Sequence, residues 1–184
     1  MLSVKTRPLT VYDYRAVPEG GPRYQLIEGE MHMAPAPNRY HQHISRNIEF
    51  ILLKYLEKNP IGEVYDAPFD VVLTAINVYQ PDILFVSNEH RAMLTDQGAE
   101  GAPDFVVEIL SPKTAVLDKG TKLEVYARCG VPELWIVDPD LKRIQVYYLQ
   151  KNATTPAATY NAKTKFRSAL FPRLVFDTAR IFSF

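Results

Sequence analysis

The sequence predicts an α/β fold, a mixed β-sheet flanked by helices in the order helix, strands, helix, strand. Three observations predict it. From His41 to about Lys58 the apolar residues Ile44, Ile48, Ile51, Leu52, Tyr55 and Leu56 recur at three- and four-residue steps, the stripe of one helix face. Two apolar runs, Tyr79 to Val86 and Asp104 to Leu110, read as buried strands, and each has one carboxylate planted in it, Asp82 and Glu108. Asp104 to Val137 reads as strand, helix, strand, a unit that closes as a right-handed parallel crossover.

The elements follow in order. Thr10-Val11-Tyr12-Asp13 has the shape of a capping box, so a short helix starts there and stops before Pro18. Tyr24 to Ile27 and Glu30 to Met33 flank Glu28-Gly29 as a hairpin or bulged strand, because glycine tolerates the positive φ of a tight connection. The long helix from His41 is broken by Asn59-Pro60-Ile61-Gly62, and Glu63 to Leu73 reads as one strand or two joined near Pro68. The Asp82 strand comes next. Ser87 to Pro103 is polar and reads as a surface loop with one helical turn, leading into the Glu108 strand. Ser111-Pro112 ends that strand, and Thr114 to Cys129 carries a helical pattern closed by Gly130. Glu133 to Val137 and Arg143 to Leu149 read as strands joined by the turn Asp138-Pro139-Asp140-Leu141, with proline at the second turn position where its fixed φ fits. The tail from Lys151 reads as a loop, and Leu170 to Phe184 is expected to dock on the core.

At 184 residues and 47% hydrophobic content the chain fits one domain, 1–184, with a core about 9–149 and a C-terminal extension 150–184. Lysines and arginines balance aspartates and glutamates to a net charge of zero, so a polyanionic partner would need a local basic cluster. Lys113, Lys119 and Arg128 form one candidate group, and Lys142, Arg143, Lys163, Lys165 and Arg167 a second; a solvated surface is the competing reading. A single cysteine, Cys129, allows no internal disulfide and no zinc ribbon, which points to a reducing, cytoplasmic setting. No run reaches the roughly 18 apolar residues of a membrane span. There is no glycine-rich phosphate loop and no Ser/His/Asp elbow.

A carboxylate inside an apolar strand is costly to desolvate unless it is paired, hydrogen-bonded or bound to a metal. Neighbouring strands lie about 4.8 Å apart, so Asp82 and Glu108 on one sheet face can share a cation. Magnesium takes hard oxygen ligands, keeps several waters and needs only one or two protein carboxylates, a description these two acids meet; manganese is the alternative. Such a metal lowers the pKa of a bound water and neutralises charge developing on a phosphodiester. Asp118 and Lys122 are four residues apart on one helix face, a placement that aims Lys122 at the strand ends. The competing reading of Lys122 is an ordinary surface pair with Asp118. His41 opens the long helix, either as a polar first-turn residue or as an auxiliary that positions substrate or water. His41 and His43 point to different sides of that helix and are not a metal pair.

Pro81-Asp82, a long gap and Glu108-x-Leu110 in this element order resemble the PD-(D/E)XK superfamily of restriction-endonuclease-like proteins. Tyr24-Gln-Leu-Ile-Glu28-Gly29, Val106-Val-Glu108-Ile-Leu-Ser-Pro112, Asp118 with Lys122, and Tyr126-Ala-x-x-Gly130-Val-Pro-Glu-x-Trp-x-Val-x-Asp138-Pro139 are similar to its Uma-type family of nucleases, over roughly Leu9 to Leu149. The resemblance implies a restriction-endonuclease-like core and a magnesium-dependent endonuclease acting on DNA, with Asp82 and Glu108 as metal ligands, Lys122 as catalytic lysine and Glu28 as a further acid. The superfamily's lysine two residues after the glutamate is replaced here by Leu110, and Lys122 is the substitute. Glu28 reads otherwise as a turn residue before Gly29. A homodimer is expected by analogy with nucleases that cut both strands. The alternatives are a catalytically impaired binding protein that keeps the nuclease fold, and a metal-dependent hydrolase of another phosphate ester.

Overall fold

The computed structural model describes residues 7–18, 20–112 and 115–183. Helix α1 (Val11–Arg15) begins where the Asp13 carboxylate accepts from the Thr10 amide at 2.8 Å. Strands β1 (Tyr24–Ile27) and β2 (Glu30–Met33) form an antiparallel hairpin. Its two turn residues, Glu28 and Gly29, have φ of 49° and 79°, the left-handed pair that a two-residue hairpin turn uses. Helix α2 (Arg39–Leu56) starts at Asn38, whose side chain accepts from the His41 amide, and buries Ile44, Ile48, Ile51, Leu52 and Leu56.

Strands β3 (Gly62–Asp66) and β4 (Asp70–Thr74) are separate, with a cis Ala67-Pro68 bond between them. The run from Tyr79 to Val86, expected as one strand, is two. Strand β5 (Asn77–Tyr79) ends, Gln80, Pro81 and Asp82 lie outside any strand, and β6 (Ile83–Ser87) continues in a different sheet. Pro81 has no amide to give to a ladder, so Asp82 stands at a strand entry rather than inside one. The segment read as a loop holds a 3₁₀ turn over Asn88–Met93 and two short strands, β7 (Leu94–Thr95) and β8 (Gly98–Glu100).

Strand β9 (Phe105–Ile109) is buried throughout. The helix expected from Thr114 is two helices, α3 (Ala115–Lys119) and α4 (Thr121–Cys129), divided at Gly120. Thr114 itself, like Lys113, lies outside the described residues. Gly130, φ 99°, closes α4 as expected. Strands β10 (Glu133–Asp138) and β11 (Arg143–Tyr148) pair as a hairpin. The tail is more ordered than its composition suggested, with β12 (Ala158–Asn161), β13 (Lys165–Arg167), β14 (Val175–Asp177) and α5 (Ala179–Phe182).

One six-stranded sheet has the order β2-β1-β5-β4-β8-β7, and the other β12-β11-β10-β9-β6-β3. In the second sheet β9 and β10 are parallel, the expected crossover, and β6 runs antiparallel to β9. Side chains alternate across it with the two-residue period of a strand. Phe105, Val107, Ile109, Trp135 and Val137 face α2 and the C-terminal Phe166, Phe171, Phe176 and Ile181 in one core. Val106, Leu134 and Ile136 face Leu123 and Tyr126 of α4 in another. The tail therefore completes the main core. The same alternation puts Glu108 on the α4 side.

Candidate active site

The site forms where the pairing between β6 and β9 ends. Their antiparallel register pairs Ile83 with Val107 and Leu84 with Val106, so one step before β6 Asp82 falls opposite Glu108. At that point the Ile109 amide donates to Asp82 Oδ2 at 2.7 Å. His41, in the first turn of α2, reaches the same place: its Nε2 lies 3.3 Å from Asp82 Oδ2 and 3.1 Å from the Ile109 carbonyl. Facing two acceptors, Nε2 carries the proton, and Nδ1 is buried with no hydrogen-bond partner among the described residues.

Helix α4 supplies the rest. Lys122 and Tyr126 are one turn apart, so both reach Glu108. Lys122 Nζ lies 2.8 Å from Glu108 Oε1, and the Tyr126 hydroxyl donates to the same oxygen at 2.7 Å. Asp118 Oδ1 is 3.2 Å from Lys122 Nζ but accepts no well-aligned hydrogen bond from the described residues. The Lys122, Glu108 and Asp118 side chains are 4%, 4% and 3% exposed. These groups, with Asp82 and His41, line one cleft of about 740 Å³ whose walls include Arg23 and Arg46.

The charges do not balance. Three carboxylates, Asp82, Glu108 and Asp118, surround one lysine. Burial pushes the Glu108 carboxyl up to about 7, Asp118 and Asp82 push the same way, and Lys122 pulls back. Burial also works against the Lys122 ammonium, but Glu108, Asp118 and Asp82 outweigh it and hold the amine protonated above its usual range. For His41 burial favours the neutral ring, yet Asp82, the Ile109 carbonyl and Glu108 raise its pKa overall. Among the described residues, Asp82 Oδ1 and Glu108 Oε2 accept no hydrogen bond. An acid-rich cleft with two uncommitted carboxylate oxygens fits a hard divalent cation. Among the described residues no three His, Cys, Asp or Glu side chains are grouped so as to hold a metal ion.

The structure thus brings Asp82, Glu108, Lys122, His41 and Asp118 together. Glu28 stands elsewhere, outside the lining of this cleft. Its Oε1 takes Arg128 at 2.6 Å and the Asn77 amide at 2.9 Å, in the hairpin turn. Asn77 Oδ1 in turn accepts the Tyr79 hydroxyl at 3.0 Å, and the Tyr79 ring packs edge-on against Tyr126 at 5.3 Å. Tyr126 was missed as a site residue, although its spacing from Lys122 carried the signal. Arg23 and Arg46 gave none. Of the basic residues considered for phosphate, Arg128 is engaged by Glu28 and Lys119 lies 3.8 Å from Asp138. Lys142, Lys163, Lys165 and Arg167 are exposed and away from the cleft lining.

A family model described as "Uma2: Putative restriction endonuclease" matches residues 11–179. Among solved structures, "a putative nuclease belonging to DUF820 from Anabaena variabilis ATCC 29413" is similar at a TM-score of 0.78 and 20% identity, over 96% of this chain and 98% of that one. The likeness shows a shared fold over almost the whole chain. No curated protein matches it.

Proposed function

Because the chain belongs to the family described as "Uma2: Putative restriction endonuclease", we propose that it is a magnesium- or manganese-dependent endonuclease hydrolysing phosphodiester bonds in DNA. The observation that carries this reading is the Lys122 ammonium, buried in the acidic cleft 2.8 Å from Glu108. Leu110, which stands where the superfamily has its lysine, is buried in the apolar cluster with Leu123. Helix α4 delivers an ammonium to the glutamate from another direction.

Asp82 and Glu108 would hold the metal through the oxygens their protein contacts leave uncommitted. When bound, the ion supplies a water of lowered pKa and positive charge for the phosphate. Tyr126 and Lys122 fix the Glu108 rotamer by sharing Oε1. His41 and the Ile109 amide fix Asp82 in the same way, so the two acids are preorganised across the ladder's end. Lys122 also places a permanent positive charge where negative charge builds on the phosphate in the transition state. Arg23 and Arg46 on the cleft wall suit the flanking phosphates. Asp118 keeps Lys122 in place.

The test is cleavage of plasmid and single-stranded DNA with and without magnesium or manganese. Asp82→Ala and Glu108→Ala should each abolish metal-dependent cleavage while circular dichroism still shows a folded protein at the assay temperature, even where stability is reduced; unchanged cleavage sinks the assignment. The Leu110 departure favours a second reading, a nuclease fold that binds without cutting. Calorimetric metal and DNA binding with no cleavage of DNA would select it, and cleavage of a simple chromogenic phosphodiester alone would select a different ester. A homodimer and a cytoplasmic location belong to the same proposal, checked by sedimentation and by cell fractionation. Among the described residues no helix is long and apolar enough to cross a membrane.

A further inference from the structure

A second cleft, of about 480 Å³, opens beside the first, and Arg23 and Gln80 line both. Its distinctive group is Asp70, at the start of β4. Asp70 Oδ1 accepts the Tyr14 hydroxyl at 2.8 Å and the Gln80 side-chain amide at 2.8 Å. Among the described residues Asp70 makes no ion pair, and its Oδ2 accepts no hydrogen bond. Close strand packing fixes its backbone: a Cβ on Gly98, which pairs with Asp70, would sit 2.2 Å from the Asp70 carbonyl oxygen. A rigid carboxylate with free lone pairs in a cleft of ligand size is an acceptor-only recognition point.

We propose that this cleft is the nucleobase subsite of the nuclease and selects an unpaired guanine. The proposal rests on the nuclease reading and gives it a substrate preference. A carboxylate favours an edge of adjacent N–H donors and repels ring acceptors. Guanine alone among the DNA bases presents two neighbouring donors, N1–H and the N2 amino group, which would both donate to Oδ2, since Tyr14 and Gln80 take Oδ1. Adenine and cytosine place a bare ring nitrogen beside their amino group, and thymine flanks its one N–H with two carbonyls. N1–H is occupied in a base pair, so the guanine read here is single-stranded or drawn out of the duplex. Gln80 links recognition to chemistry. Its amide orients Asp70, and it stands two residues before Asp82, so a base seated on Asp70 sets the attached phosphate relative to the acids. Arg23, on the wall shared by both clefts, suits that phosphate.

The experiment is calorimetry of the full chain, without metal, against dGMP, dAMP, dCMP and dTMP, with end-mapping of cleaved random-sequence single strands in magnesium. Wild-type protein should bind dGMP about tenfold or more tightly than the others, the scale of one good paired base contact, and cut next to guanine. Asp70→Asn, which replaces an acceptor by a donor, should erase that selectivity. Gln97→Trp, an exposed cleft-lining position whose side chain makes no hydrogen bond among the described residues, should block dGMP binding without disturbing Asp70 and serves if Asp70→Asn does not fold. Equal affinity for the four nucleotides, or selectivity retained in both variants, overturns the proposal. Cleavage with no base preference and no dGMP selectivity refutes the subsite and leaves the nuclease reading standing. Selective dGMP binding with no cleavage in either metal supports the guanine site and refutes the nuclease reading.

Discussion

Replacing Glu108 by glutamine keeps the side chain's shape and removes a titration that the fold has displaced. Burial, then the charges of Asp118 and Asp82, raise this carboxyl from 4.5 to about 7 in the folded protein. In the unfolded chain it titrates near its ordinary value. Between those two values the folded protein holds a proton that the unfolded chain has released, so unfolding free energy falls as pH rises. Integrated for one such group from about pH 5 to about pH 8, the loss is on the order of 2 to 3 kcal/mol. For a domain of this size that is roughly 4 to 12 °C in melting temperature. The glutamine variant cannot titrate there, so its melting temperature should fall by that much less across the same interval. His41 has a raised pKa and contributes a slope of the same sign; Asp82 and the Ile109 carbonyl, present in both proteins, raise it more than Glu108 does, so most of that slope cancels in the difference. Magnesium at about a hundred times its dissociation constant should restore about 3 kcal/mol to the wild type at the alkaline end and little to the variant. Thermal unfolding across this pH range, with and without magnesium, reads both effects. A variant with the parent's pH slope refutes the argument from burial, and a variant stabilised by magnesium as the parent is refutes Glu108 as a ligand.

The imidazole of His41 should titrate above its ordinary 6.5, so the stability it shares with Asp82 is complete below that value and lost as pH rises through the raised one. Proton NMR should show the pKa falling back in Asp82→Asn; no change would mean that Asp82 does not hold the ring. Lys122→Met leaves the buried Glu108 and Asp118 carboxylates without their cation, and urea unfolding at neutral pH should show a loss of about 3 to 5 kcal/mol, with a loss near zero counting against a buried pair. Phe171 packs edge-on against Phe85 and Phe105 at 5.0 and 5.3 Å, so Phe171→Ala should cost about 3 to 5 kcal/mol; below about 1 kcal/mol, the tail would not be part of the core. A methyl group at Gly62 would meet the Val86 carbonyl oxygen at 2.2 Å, so Gly62→Ala should cost about 1 to 3 kcal/mol or more, and an unchanged urea midpoint would contradict that close packing.

What could be read from the sequence was what neighbours in the chain decide. The α2 stripe, the β1–β2 turn and the Gly130 cap depend on residues a few positions apart, and the β9–helix–β10 crossover joins segments that each carry their own local pattern; all are present. Strands β7 and β8 are two and three residues long, pair with each other and join the sheet through β4, and a polar stretch with two glycines carries no apolar run to mark them. The tail misled only in its first stretch, where Thr, Ala and Pro content reads as loop although β12 and β13 form there; the docking expected of Leu170 to Phe184 is present, with Phe171, Phe176 and Ile181 in the main core. Glu28 shows the opposite limit, since its assignment to the site came from resemblance alone and the fold engages it with Arg128 and Asn77.

The misread strand and the site are one feature. Had Tyr79 to Val86 run unbroken, backbone groups would have met β9 at Ile109, and Asp82 would have been one more alternating side chain. Pro81 has no amide and ends the ladder there. The Ile109 amide is then satisfied by the Asp82 carboxylate, which pins that acid opposite Glu108 with one oxygen still uncommitted. A buried amide that loses its ladder partner costs about 1 to 3 kcal/mol unless another acceptor takes it, so the same bond that completes the sheet's hydrogen bonding holds the acid in place. Asp82→Ala should therefore weaken the fold as well as the metal site, whereas Asp82→Asn, which keeps an acceptor for Ile109, should lose metal affinity with little loss of stability.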